Sequence, residues 1–159
     1  MSKGEEAAQS PTPRVFPLIR ELTADESRAL LKHHLVGRIA FSLNDRVDIQ
    51  PIHYVFDEGW LYGRTSHGSK FATLAHHSWC AFEVDEVRDM FDWDSVVVKG
   101  HIELLDPELG SPDAYARGLE LMRGLVSQTL SEGDPAPHRL ILFRLHVSEL
   151  TGRAARPGH

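Results

Sequence analysis

The chain has 159 residues, 42% hydrophobic and 25% charged, which suits one ordinary globular domain with a single core. Its formal net charge of −6 argues against general binding to nucleic-acid phosphates, although a local basic pocket for one phosphate is compatible with it. The longest apolar runs, such as Leu140–Phe143 and Val96–Val98, are too short to span a membrane; the Met1–Glu6 start is polar rather than signal-like, and the single Cys80 cannot form an internal disulfide. These features predict a soluble, cytoplasmic protein.

In chain order, residues 1–13 are polar and rich in Ala, Ser and Pro, and read as a disordered tail before a domain over residues 14–153 and a C-terminal tail over 154–159. Val15–Leu22 leads into a helix, Ala24–His34. Thr23 followed by Glu26 forms a capping-box pattern, Leu30, Leu31 and Leu35 give the helix an apolar face, and Gly37 is expected to stop it. Strands are expected over Arg38–Leu43, Val47–Phe56 and Trp60–Thr65, separated by turns at Asn44-Asp45-Arg46 and Asp57-Glu58-Gly59. Ser69–His77 reads as a short helix. Trp79–Asp85 alternates as a fourth strand, Glu86–Asp94 as an acidic loop, and Ser95–Leu105 as a central fifth strand. Pro112 opens a helix reaching about Leu130. After the Pro-rich loop Glu132–Pro137, His138–Leu150 is the last strand, with a phase slip near Phe143–Arg144 that suggests a bulge. Six strands with turn-length links and helices at the margins predict a mainly β protein built as a closed antiparallel barrel.

Four constellations could carry chemistry. Gly63–Lys70 places two cations, three hydroxyls and two glycines at a strand end running into a helix start, a mixture that suits a phosphate. Arg64 and Lys70 would supply charge, and Thr65 and Ser69 hydroxyls; read alone, a polar loop with Ser69 as a plain N-cap explains the same residues more simply. Gln50–Tyr54 holds Pro51 within a strand, which denies one ladder hydrogen bond and places the strand at an edge or bulge, leaving backbone groups for a ligand beside His53. The adjacent pairs His33-His34 and His76-His77 point different ways on a helix, HExxH is absent and Cys80 lacks a cysteine partner, so no metal site is expected. In Asp89–Ser95, Trp93 could stack on a flat ring or pack at a subunit contact.

Taken in order, Arg38–Phe41, Gln50–Tyr54, Leu61-Tyr62 with Gly68–Lys70, Cys80–Asp85, Ser95–Gly100 and Phe143–Arg153 resemble the pyridoxamine 5′-phosphate oxidase-like split barrels, in particular the nitroimidazole-resistance flavoproteins. The resemblance implies a six-stranded antiparallel split barrel, a homodimer, and an FMN at each of two interface sites. It places Arg64, Thr65, Ser69 and Lys70 at the phosphate, with Tyr62 in the same segment. Pro51, Ile52, His53 and Tyr54 lie beside the flavin ring, and Trp93, Ser95 and Val96 reach it from the partner subunit. It implies an oxidoreductase in which NAD(P)H or another donor reduces the flavin and a small electrophile, such as a nitroaromatic, is the acceptor. His53 is the candidate catalytic group, because imidazole titrates near neutral pH. The substrate-side Arg/His pattern of true pyridoxamine phosphate oxidases is not evident near the C-terminus. Related split barrels bind deazaflavin or haem, and a flavin-binding protein without turnover remains the alternative from another class.

Overall fold

The computed structural model describes residues 16–66 and 76–158. The expected N-terminal tail and residues 69–75 of the expected short helix lie outside the described residues, whereas His76 and His77 belong to a strand. The elements are β1 (Pro17–Glu21), α1 (Ala24–His33), β2 (Val36–Leu43), β3 (Arg46–His53), β4 (Val55–Asp57), β5 (Trp60–Thr65), β6 (His76–Asp89), β7 (Asp92–Leu105), α2 (Pro112–Leu125), β8 (Ile141–His146) and β9 (Glu149–Pro157).

The nine strands form one antiparallel sheet in the order β3-β2-β6-β7-β8-β5-β4, with β9 pairing both β7 and β1. The architecture is mainly β with two flanking helices, as expected, but it has nine strands rather than six. β3 comes close to β5 without a hydrogen-bonded ladder among the described residues, so the sheet curls into a barrel that is split there rather than closed. Strand alternation fills the barrel: Ile39, Phe41, Ile52, Phe82, Val84, Val96, Val98, Phe143 and Leu145 are buried together on the inner face.

Local chemistry explains most of the elements. The capping box forms as expected, with Thr23 Oγ1 accepting from Glu26 N at 3.1 Å and Glu26 Oε1 accepting from Thr23 N at 3.1 Å. Asn44-Asp45 and Glu58-Gly59 are two-residue hairpin turns whose residues all have positive φ, the backbone twist such hairpins favour. Gly37 does not stop α1. It lies in β2, where a Cβ would meet the Phe82 ring at 2.1 Å, so the core requires its small size.

Four further expectations are corrected. Glu86–Asp94 is not a loop: β6 and β7 continue as a hairpin to Asp89 and Asp92, because Arg88 bonds both Asp92 and Asp94 and relieves the acidic crowding. The last strand is two strands. β8 pairs with the C-terminal part of β7, and the chain crosses at Val147-Ser148 so that β9 pairs with the N-terminal part. β9 continues to Pro157, with Ala154 and Ala155 buried, so the boundary expected after Arg153 falls within a strand. The apparent slip at Phe143–Arg144 is no bulge. Phase is lost because β8 is buried on both faces, with Phe143 and Leu145 in the barrel and Leu142 under α2 beside Tyr62 and Met122.

Candidate functional site

β3 ends the sheet path, as Pro51 within it predicted. Its register fixes which main-chain groups remain open. Tyr54 N donates to Leu35 O at 3.0 Å across the His53↔Val36 pair, which makes that pair a non-hydrogen-bonded one. Bonded and non-bonded pairs alternate, so the N–H and C=O of His53 and the C=O of Pro51 point away from β2. β3 pairs with no other strand among the described residues. The edge therefore presents one donor and two acceptors within three residues.

A groove of about 300 Å³ lies next to His53, between the C-terminal end of α2 and residues 134–139. Met122, Leu125, Val126 and Pro135 make its apolar part, and Arg64, His138 and Arg139 its basic part. Arg64 is already committed. It forms a salt bridge with Asp134, with side-chain exposures of only 8% and 3%, and it donates from Nε to Arg139 O at 3.0 Å and from Nη2 to Ala136 O at 3.2 Å. The Asp134 carboxyl also caps Leu130 N at 2.8 Å and Ala136 N at 2.9 Å. Arg64, with these N–H donors, holds the Asp134 carboxyl well below the usual range. Arg64, expected at a phosphate, thus clamps the segment after α2 to the end of β5. The side chain of Arg139, by contrast, makes no hydrogen bond or ion pair with any described residue.

The remaining expected residues separate by role. Ser69 and Lys70 lie outside the described residues. Thr65 is buried at the end of β5, beside Arg64. Ile52 points into the core. Tyr54 is fully buried: its hydroxyl donates to Leu31 O at 2.7 Å and its ring packs edge-on against Phe82, so its side chain pins α1 to the barrel, and only its backbone could meet a ligand. Tyr62 is buried against α2, with β4 and β8 taking both of its backbone edges. Val96 has an inward side chain and a backbone paired to Val84 on one side and Gly152 on the other, which leaves it nothing to offer.

Trp93 and Ser95 line a second groove of about 470 Å³, together with Lys99 and Arg153. The ladders place this groove far from the first within one chain. Arg64 is level with Leu142 and hence with Leu105, ten residues along β7 from Ser95, or about 30 Å of strand. A ligand touching both sets would have to take Trp93 and Ser95 from another copy. Among the described residues no group of three or more His, Cys, Asp or Glu is placed to hold a metal ion, and no helix is long and apolar enough to cross a membrane.

Sequence reasoning missed Asp134 and Arg139. Asp134-Pro135 signals a turn, but nothing local shows that its carboxylate meets an arginine 70 residues earlier.

No curated protein matches the chain. Solved structures do. A protein from Mesorhizobium loti described as FAD-binding has 26% identity and a TM-score of 0.70, with 87% of this chain and 99% of that one covered. A candidate pyridoxamine 5′-phosphate oxidase from Corynebacterium glutamicum has 28% identity and a TM-score of 0.63, covering 89% and 96%. A candidate 5-nitroimidazole antibiotic resistance protein from Bacteroides thetaiotaomicron, at 13% identity, TM-score 0.67 and coverage of 95% and 98%, shows the shared fold alone. The sequence profile of the pyridoxamine 5′-phosphate oxidase family matches residues 23–154. The match spans the capping box of α1, the strands β2 to β8 and most of β9, and the chain belongs to the pyridoxamine 5′-phosphate oxidase-like family.

Proposed function

We propose that the protein is a homodimeric, flavin-dependent oxidoreductase that binds FMN and uses it to reduce a small electrophilic acceptor such as a nitroaromatic. The observation that carries this reading is the open edge of β3. In a flavin's pyrimidine rim a single donor, N3–H, lies between acceptors, and His53 N–H with a neighbouring carbonyl of His53 or Pro51 offers a donor–acceptor pair for one of those acceptors and that donor. They border a groove with an apolar wall, so a flavin paired to this edge would lie next to a space open to an acceptor. Family membership and the FAD-binding description of the Mesorhizobium loti protein support a flavin.

Thr65, Ser69 and Lys70 would bind the phosphate, and Trp93 and Ser95 would complete the site from the partner subunit. Bound there, the flavin supplies the two-electron chemistry, with NAD(P)H or another donor as the source of electrons. The exposed His53 imidazole serves as proton donor to the acceptor. His53→Ala should lower turnover by about 10²-fold, a loss typical of general acid–base groups; unchanged turnover and unchanged acceptor affinity would remove that role. Mass analysis of the released cofactor decides between FMN and FAD, and a haem spectrum would replace the flavin reading altogether.

A further inference from the structure

We infer that the groove between α2 and residues 134–139 is a binding site for a small anionic aromatic molecule, a carboxylate-bearing acceptor, with Arg139 as the cation that binds it. The acceptor role rests on the flavin reading above; the binding site does not. Two arginines line the groove. Arg64 is neutralised by Asp134, and its remaining donors are directed at carbonyl oxygens. That leaves the part-buried Arg139 as a cation with no partner among the described residues, and His53 and His138 beside it. Among the described residues no carboxylate lines this groove, in a chain whose formal net charge is −6.

The backbone that carries Arg139 is held firmly. Its carbonyl accepts from Arg64 Nε at 3.0 Å and Nη2 at 2.8 Å, and its N–H donates to Ala136 O at 3.0 Å. One arginine is thus used to fix the root of the other, so the free guanidinium extends from a rigid point and loses less entropy on binding. Its planar fork matches a carboxylate in bidentate geometry. The rest of the wall, Met122, Leu125, Val126 and Pro135, suits an aromatic ring. A volume of about 300 Å³ is at the small end for ligand sites and fits a single-ring molecule. His53, whose main-chain edge is the proposed seat of the flavin, borders the same groove.

The test is calorimetric titration of the full-length protein, with and without flavin, using benzoate and its neutral counterpart benzyl alcohol as probes. Benzoate should bind more tightly than benzyl alcohol. Arg139→Gln should weaken benzoate by about 10- to 100-fold, the loss expected for a charge-assisted hydrogen bond, and Arg139→Lys should restore part of it. Circular dichroism should show both variants folded, since the side chain makes no hydrogen bond or ion pair with a described residue. In the flavin-loaded enzyme, 4-nitrobenzoate should show a lower KM than nitrobenzene, and Arg139→Gln should erase that difference. Equal benzoate binding by wild type and Arg139→Gln, or displacement of benzoate by FMN, would overturn the proposal, the latter by assigning the cation to the cofactor's phosphate. Arg139-dependent benzoate binding by a protein that takes up no flavin would keep the site and remove the redox reading.

Discussion

Arg64 and Arg139 stand in one groove, and a single carboxylate makes them chemically different. Asp134 occupies Arg64, so Arg64 holds structure while Arg139 faces the groove. Asp134→Asn should lower the melting temperature and speed tryptic cleavage after Arg139, as the 134–139 segment loses its clamp. Because the folded Asp134 carboxyl is held below its unfolded value, its contribution is present above about pH 4 and lost as pH falls through the folded value, so wild type and Asp134→Asn should converge in acid. Glu83 behaves in the opposite sense. Burial, then the hydrogen bond and charge of Asp85, push its carboxyl up to about 7 against the pull of Arg38. Its Oε1 is buried with no hydrogen-bond partner among the described residues. A carboxyl raised in the folded state stabilises fully below its unfolded value, near about 4.3, and loses that contribution as pH rises through 7. Glu83→Gln should therefore melt higher than wild type at pH 8 and differ little at pH 5; an equal difference at both would contradict the assignment.

At the level of elements, β5 and β8 show how packing fixes small residues. A Cβ on Gly63 would sit 2.5 Å from the buried Phe143 ring, so Gly63→Ala should cost about 1–3 kcal/mol, read as a shifted urea midpoint with an unchanged slope. The edge character of β3 was legible from Pro51 alone, and the inner face of β6 from the alternation of Cys80, Phe82 and Val84, because a strand with one wet face writes its orientation into sequence. β8 was not legible in the same way, since burial on both faces erases the alternation. The β6–β7 hairpin was missed because its acidic run is balanced by Arg88 and Arg156, whose partners the fold chooses. The candidate site was half legible: His53 and the β3 edge could be read from sequence, whereas the Arg64–Asp134 pairing joins segments that only the tertiary fold brings together.

On the scale of the whole molecule, one outer face of β2, β3 and β6 exposes Val36, Val47, Ile49 and Trp79, with Val47 at 79% and Ile49 at 63%. An apolar sheet face beside an open edge strand calls for a cover. The separation of Trp93 and Ser95 from the His53 groove gives a second copy something to supply. Sedimentation should show a dimer, and Ile49→Glu should shift it toward monomer while leaving the circular dichroism spectrum unchanged. The same substitution should weaken flavin retention if the cofactor site is shared. The proposed activity depends on the cofactor, and the most direct test is to denature the purified protein and identify the released small molecule by absorbance and mass. One flavin per chain, with the mass of FMN, should be released; a protein that releases no flavin and binds none when FMN is added would contradict the flavin assignment.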